Sequence, residues 1–190
     1  MNSSAFTSTQ IFAILAVVLV VFGGILVWFL QKRHTKRLST QFGESEYSRA
    51  VTEGGGRRGA EARLDRRSER VQSFHLRPLA SADRARFVAT WTKVQAHFID
   101  GPASAVTEAD QLLGDVMSTR GYPVTDFEQR ADDISVDHPQ VTMNYRAAHD
   151  IAGRQIRGQA TTEDLRQALI HYRALFEDMV GEPKAMATTP

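Results

Sequence analysis

The chain has 190 residues and a net charge of +1; 42% of its residues are apolar, 24% are charged and none is cysteine. This composition excludes a disulfide scaffold, a thiolate nucleophile and a cysteine-ligated zinc or iron–sulfur site, and it is too apolar for a wholly disordered protein. The length predicts one globular domain with additional segments.

An uncharged apolar run near the start predicts a transmembrane helix. Residues 11–30 read IFAILAVVLVVFGGILVWFL, and a helix of that length covers ~30 Å, the thickness of the hydrocarbon core of a bilayer. A cleaved signal peptide is the alternative, but such a peptide has a positive n-region and a small-residue cleavage site. Residues 1–10 carry no charged side chain, and the run continues directly into QKRHTKR. We therefore predict a short extracytoplasmic N-terminus (residues 1–10) and a transmembrane helix (residues 11–30).

Four basic residues follow this run and none precedes it: Lys32, Arg33, Lys36 and Arg37. The positive-inside rule then predicts a single-pass protein of the cell membrane, with its N-terminus outside and its C-terminal part in the cytoplasm. The absence of cysteine fits a reducing compartment. We also predict that the same four residues contact anionic lipid, at ~1 kcal/mol for each basic residue near an anionic leaflet.

Residues 31–75 form a basic juxtamembrane region. Between residues 31 and 80 there are 12 basic and 6 acidic side chains, whereas residues 81–190 have 11 basic and 16 acidic ones. The region begins with apolar residues whose i, i+4 pairs are typical of a helix: Leu38, Phe42, Tyr47 and Val51. Three glycines follow at residues 54–56, each costing about 1 kcal/mol in a helix relative to alanine. They predict a hinge or a frayed helix.

The segment RRGAEARLDRRSERVQSF (residues 57–74) predicts a charged helix. Four arginines share one face of it: Arg63, Arg66, Arg67 and Arg70. The favoured interpretation is a solvated helix supported by i, i+3 and i, i+4 ion pairs. The alternative is a surface for anionic lipid or for an acidic partner. Nucleic acid is not expected, because acidic residues interrupt the basic run and no aromatic residues are interleaved with it.

Residues 76–181 have the pattern of capped amphipathic helices. The first has an apolar stripe of Phe87, Trp91, Val94 and Phe98, and the last has a stripe of Leu165, Leu169, Tyr172, Phe176 and Met179. Between them we predict a helix from about Ala103 to Arg120, a short helix from a capping box at Thr125 to about Asp133, and a helix that begins with Asp137 as its N-cap. The last helix begins at residues 161–164.

No segment alternates with a period of two, so the predicted fold class is all-α. It comprises one N-terminal transmembrane helix, a charged juxtamembrane helix and a C-terminal bundle of about five helices. Residues 182–190 have no pattern and are predicted to be a disordered tail.

Three histidines in the last two helical segments are the candidates for chemistry: His138, His149 and His171. A small membrane-anchored hydrolase or a metal-binding domain would need them to converge. However, there is no HxxxH pair and no HExxH, the spacings that place two imidazoles on one helix face, and a structural role is favoured. There is also no GxSxG elbow and no phosphate loop. We therefore predict no catalytic, cofactor-binding or metal-ligating residue, and no enzyme.

Three stretches carry a family resemblance: FGESEYSRAV, RGYPVTDFEQRADDISVDHPQVTMNYRAAH and GQATTEDLRQALIHYRALF. They resemble a family of uncharacterised bacterial single-pass membrane proteins with a C-terminal helical domain. The resemblance implies a membrane-anchored helical module and implies no activity, cofactor or catalytic residue. The expected function is a membrane-tethered interaction module whose partners are the bilayer and either another protein or a second copy of the chain.

Overall fold

A computed structural model describes residues 8–123 and 125–181, which form seven α-helices and contain no strand. The helices are α1 (Ser8–Glu53), α2 (Arg57–Gln72), α3 (Ser81–His97), α4 (Pro102–Arg120), α5 (Phe127–Asp137), α6 (Pro139–Ile156) and α7 (Thr162–Val180). The predicted all-α class and the bundle of five helices, α3 to α7, are confirmed.

The core of the bundle is built from the apolar stripes that the sequence predicts. Trp91 of α3 is 6% exposed and stacks on Phe176 of α7, with ring centroids 4.8 Å apart. Tyr145 of α6 and Tyr172 of α7 are fully buried beside each other, with ring centroids 6.2 Å apart. Burial of large apolar surface, at about 25 cal/mol per Å², is the main favourable contribution to the stability of such a bundle.

Side-chain contacts between helices show in which direction each helix runs relative to its neighbours. The guanidinium of Arg120, at the end of α4, donates to the carbonyl of Met179, near the end of α7, so these packed helices run in the same direction. His138 pairs with Asp178 and Arg154 with Asp164, so α6 runs opposite to α7. Helices α5 and α6 are consecutive, packed together and antiparallel.

Helix α1 is interrupted at Gly43, whose φ of 73° and ψ of 162° are not helical. Gly43 separates a long segment (residues 8–42) from a short segment (residues 44–53). The carboxylate of Glu61 in α2 accepts hydrogen bonds from Thr35 at 2.6 Å and from Tyr47 at 3.2 Å. In a straight helix residues 35 and 47 would lie ~18 Å apart. Both hydroxyls reach one carboxylate because the chain folds back at Gly43.

The fold-back gives the juxtamembrane region a small core of its own. Its buried members come from both segments of α1 and from α2: Leu38, Phe42, Ala50, Ala60 and Leu64. The long segment runs in the same direction as α2, since Gln41 contacts Ser68 and Thr35 contacts Glu61. The short segment runs in the opposite direction and connects to α2 through the three glycines. A Cβ on Gly59 would lie 2.2 Å from the carbonyl oxygen of Gly54, so this turn is close-packed.

Three predicted helix ends are wrong. The cap of α5 is Asp126, whose side chain accepts from the backbone of Gln129, and α5 continues to Asp137. The capping box at Thr125 therefore does not form, and Asp137 belongs to α5 instead of capping α6. His138 is the N-cap of α6 and makes no side-chain capping bond, because the fixed φ of Pro139 already begins that helix. The predicted start of α7 is confirmed by a capping box between Thr161 and Asp164.

Within the part of the chain that the structure describes, no helix combines the length and the apolarity that crossing a membrane requires. The transmembrane helix predicted for residues 11–30 is therefore unsupported and stays a prediction. The predictions for residues 1–7 and for the tail at residues 182–190 lie outside the described residues.

Candidate functional site

The predicted lipid contacts lie on the exposed side of the long segment of α1. Lys32, Arg33, Lys36 and Arg37 are all exposed, and we call them the cationic collar. Two of them cover aromatic rings of the preceding turn: the Lys32 ammonium lies 5.2 Å from the Trp28 ring centroid, and the Arg33 guanidinium carbon lies 4.4 Å from that of Phe29. Cation–π contacts at exposed sites such as these contribute about 0.5–1 kcal/mol each.

The opposite side of the same segment faces α2. His34 lies between two acidic side chains, with Nε2 3.2 Å from Asp65 and Nδ1 3.8 Å from Glu61. Leu38 and Phe42 are 2% and 0% exposed. The collar therefore points away from the folded domain, where it is free to meet another surface.

N-terminal to the collar, the long segment exposes large apolar side chains. Between 45% and 75% of each of the following is exposed: Leu15, Val18, Leu19, Val20, Val21, Phe22, Ile25, Leu26, Trp28, Phe29 and Leu30. Successive positions on a helix differ by about 100°, so consecutive exposed residues such as those at 18–22 cover all sides of it. An apolar surface of this extent is typical of a helix that contacts lipid or another protein.

Where α1 enters the folded domain, four charged side chains form a closed ring of alternating charge. The members are Glu46 of α1, Arg67 of α2, Asp132 of α5 and Arg146 of α6, and we call them the ionic ring. Arg67 contacts Asp132 at 2.7 Å and Glu46 at 3.6 Å. Arg146 contacts Asp132 at 2.7 Å and Glu46 at 3.2 Å. Each carboxylate thus meets both guanidiniums.

The ionic ring is largely removed from solvent. The side chains of Glu46, Arg67 and Arg146 are 1%, 7% and 12% exposed, and that of Asp132 is 25% exposed. Burial lowers the pKa of Arg67, and the neighbouring carboxylates of Asp132 and Glu46 oppose this shift. With two positive and two negative members the ring is neutral, which is the condition under which buried charges are tolerated.

An outer layer of ion pairs extends the ring toward solvent. Glu128 accepts from Arg146 at 2.8 Å and from Arg49 at 3.2 Å. Glu53 accepts from Arg49 at 2.6 Å and from Arg63 at 2.9 Å. These contacts join the same four helices as the ring does, so the whole network holds the α1–α2 hairpin against α5 and α6.

Asp133 makes a separate contact with α2. Its carboxylate is 2% exposed and accepts from the Arg70 Nε at 3.0 Å and from the Gln129 amide at 2.8 Å. Burial raises the pKa of Asp133, and the hydrogen bonds from Arg70 and Gln129 counteract this only in part. The two neighbouring carboxylates, Asp132 and Asp133, therefore have different environments.

The prediction that α2 is a solvated charged helix is wrong. Arg67 is buried in the ionic ring, and Arg63 and Arg70 pair with Glu53 and Asp133. The reason is tertiary: carboxylates supplied by α1 and α5 compensate the charge of Arg67, which is buried on the same side of α2 as Ala60, Leu64 and Val71. The one sequence signal for this is the opposite net charge of residues 31–80 and 81–190, which favours association of the two parts.

The three candidate histidines each have a different partner. His138 hydrogen-bonds Asp178 through Nδ1 and accepts from Arg120 at 3.2 Å through Nε2. The ring of His149 stacks on Phe127 with centroids 3.5 Å apart, and burial lowers its pKa. His171 contacts the amide oxygen of Asn144 at 3.1 Å. Among residues 8–123 and 125–181, no group of three His, Cys, Asp or Glu side chains is arranged to hold a metal ion.

In comparisons with family models, with curated proteins and with solved structures, nothing matches this chain.

Proposed function

We propose that this protein is a single-pass membrane protein whose cytoplasmic helical domain is a membrane-tethered interaction module. One observation carries the proposal: the exposed apolar part of the long segment of α1 continues through the cationic collar into the buried positions Leu38 and Phe42. A bilayer would cover the apolar part and anionic headgroups would meet the collar. The positive-inside rule supports an outside N-terminus and a cytoplasmic domain.

In this proposal the ionic ring is the rigid connection between the membrane helix and the helical bundle. The helix that enters the bilayer is not connected to the bundle by a flexible linker; it packs on α2 and, through Glu46 beyond the fold-back, on α5 and α6. The domain is therefore held close to the membrane in a fixed orientation. The module would bind another protein, or a second copy of this chain, on the surface turned away from the lipid.

Membrane extraction of the full chain tests the anchor. We expect the wild-type protein to stay in the membrane pellet after alkaline carbonate treatment. The double variant Leu19→Lys/Phe22→Lys should be released, because each lysine costs ~2.5–3.5 kcal/mol near the centre of a spanning helix. Val88→Lys/Ile170→Lys changes two exposed apolar residues of the bundle and is the matched control. Release of the wild type, or retention of the Leu19→Lys/Phe22→Lys variant, would contradict the anchor.

Photo-crosslinking in membranes tests the interaction module. A benzophenone amino acid at Val88, Met143 or Ile170, which are 48%, 51% and 46% exposed, should give a covalent adduct from at least one position. An adduct of twice the chain mass indicates self-association, and another mass indicates a different protein. If none of the three positions gives an adduct, the interaction module is contradicted while the anchor is unaffected.

A further inference from the structure

We call residues 8–30 of α1 the apolar helix. The helix directions bring several turns to the end of the domain from which this apolar helix leaves. The long segment of α1 runs in the same direction as α2. Arg67 and Arg70 of α2 pair with Asp132 and Asp133 of α5, so α2 and α5 also run in the same direction. The N-terminal ends of α2 and α5 therefore lie at the end where residues 8–30 leave the domain.

The same reasoning places the other turns. Helix α6 is antiparallel to α5, so its C-terminal end and the following α6–α7 loop lie at this end too. Helix α4 is parallel to α7, so the start of α4 and the preceding α3–α4 turn at residues 98–101 lie at this end of the domain as well. We call this surface the proximal end, consisting of residues 54–58, 98–101, 125–128 and 156–161.

Two isoleucines protrude from the proximal end. Ile99 is 83% exposed and Ile156 is 89% exposed, more than any other large apolar side chain in the described residues; the next, Val20, is 75% exposed and lies in the apolar helix itself. Ile99 lies in the α3–α4 turn and Ile156 is the last residue of α6, and each is followed within two residues by a glycine. Isolated exposed apolar side chains are ordinary on protein surfaces. These two, however, both lie at the end of the domain from which the apolar helix leaves.

Basic residues lie at the level where that helix would leave the bilayer. Thr35 is opposite Glu61 and Gln41 is opposite Ser68, so Gln31 falls opposite Arg57. Arg57 and Arg58 are exposed there, level with the start of the cationic collar, and the exposed Arg157 directly follows Ile156. The exposed Asp100 directly follows Ile99, which favours a shallow contact at the headgroup boundary over deeper insertion.

We propose that the proximal end rests on the surface of the lipid bilayer, with the side chains of Ile99 and Ile156 in the headgroup boundary. This inference rests on the proposed membrane anchor and adds a second membrane contact that residues 11–30 alone do not imply. The bundle would then lie against the bilayer and would not project from it on a stalk. Its far end, formed by the last turns of α2, α4 and α7, would be the part farthest from the lipid.

Site-specific fluorescence in the full chain tests this contact. The chain contains no cysteine, so single-cysteine variants take one environment-sensitive label each. The test variants are Ile99→Cys and Ile156→Cys; Gln72→Cys, exposed at the far end, is the control, and Val20→Cys reports on the anchor itself. The protein is reconstituted in phosphatidylcholine vesicles containing a minority of phosphatidylglycerol, with and without nitroxide on the lipid headgroups.

We expect labels at residues 99 and 156 to shift their emission to the blue and to be quenched by headgroup nitroxide, and the label at residue 72 to show neither effect. A lipid signal at residue 20 but none at 99 or 156 would overturn the inference and leave the anchor standing. Equal quenching at residues 72, 99 and 156 would overturn it as well, because the contact would not be oriented. No lipid signal at residue 20 would overturn both proposals.

Discussion

Glu46 shows how one side chain can connect two parts of this protein. It is 1% exposed, and its carboxylate is contacted by Arg67 from α2 and by Arg146 from α6. Removing one member of a buried ion pair is costly because the remaining charges stay buried without compensation. Asp133 is equally buried, but it contacts a single, half-exposed guanidinium, and burial raises its pKa. These two acidic residues should therefore respond differently to the loss of charge.

Glu46→Gln should lower the free energy of unfolding by about 3–5 kcal/mol, whereas Asp133→Asn should change it by less than about 1 kcal/mol. The physical reason is that the first substitution gives the ionic ring a net positive charge, while the second removes a charge whose burial is already unfavourable. Urea unfolding of the full chain in detergent micelles, followed by circular dichroism, measures both. Equal effects of the two substitutions would show that the closed ring has no special role.

His149 gives a prediction for the dependence of stability on pH. Burial lowers its pKa, Asp110 opposes this shift and Arg130 adds to it. Because the unfolded chain binds the proton more readily, the stabilising contribution of neutral His149 is present above the unfolded pKa of about 6.5 and is lost as the pH falls through the lower folded pKa. His149→Gln should flatten the loss of stability in that interval. An unchanged pH profile, measured by urea unfolding at a series of pH values, would contradict this.

At the scale of helices, the break at Gly43 decides how the juxtamembrane region folds. Its φ of 73° and ψ of 162° belong to a region that residues with a Cβ rarely enter. No neighbouring atom lies within 4 Å of a Cβ at this position, so a substitution there would act through the backbone alone.

Gly43→Ala should lower the free energy of unfolding by about 1–3 kcal/mol, the cost of holding alanine in that conformation. Gly153→Ala is the matched control: Gly153 lies inside α6, a Cβ there would meet only the end of Arg157 at 3.6 Å, and alanine should be neutral or stabilising by up to about 1 kcal/mol. Urea unfolding of the two variants is compared with the wild type. If Gly43→Ala matches Gly153→Ala, the fold-back at residue 43 does not exist in the protein.

The sequence predicts the helices of the bundle well because each has its own apolar stripe and its own end signals. The stripe through Phe87, Trp91 and Val94 is buried, and the capping box at Thr161 forms. It does not predict the fold-back, since helical periodicity is a local pattern and a single glycine is a weak signal for a reversal. The spacing of five between Phe42 and Tyr47, where i, i+4 pairs stand on either side, is the one irregularity that marks it.

The sequence does not predict the ionic ring either. Its members are separated by 14 to 100 positions along the chain, and nothing in a charged helix such as α2 distinguishes an arginine that will be buried from one that will be solvated. Only the arrangement of four helices selects Arg67 for burial and leaves its neighbour Arg66 exposed.

For the whole molecule, the distribution of charge agrees with the way the helices pack. The basic residues 31–80 and the acidic residues 81–190 pack against each other through contacts such as Arg67 with Asp132 and Arg70 with Asp133. The cationic collar takes no part in these pairs and remains exposed beside the apolar helix. The domain is thus joined internally by its opposite charges, while the exposed collar is the part that would meet an anionic membrane under the proposed function.

The accessibility of two single cysteines in sealed inside-out membrane vesicles tests the central claim, that the chain crosses the membrane once with its helical domain in the cytoplasm. The chain has no cysteine of its own, so Ser4→Cys and Ser81→Cys each provide one target for a membrane-impermeant maleimide. We expect the cysteine at position 81 to react without detergent and the one at position 4 to react only after detergent is added. Reaction at position 4 without detergent, or protection of position 81, would contradict it.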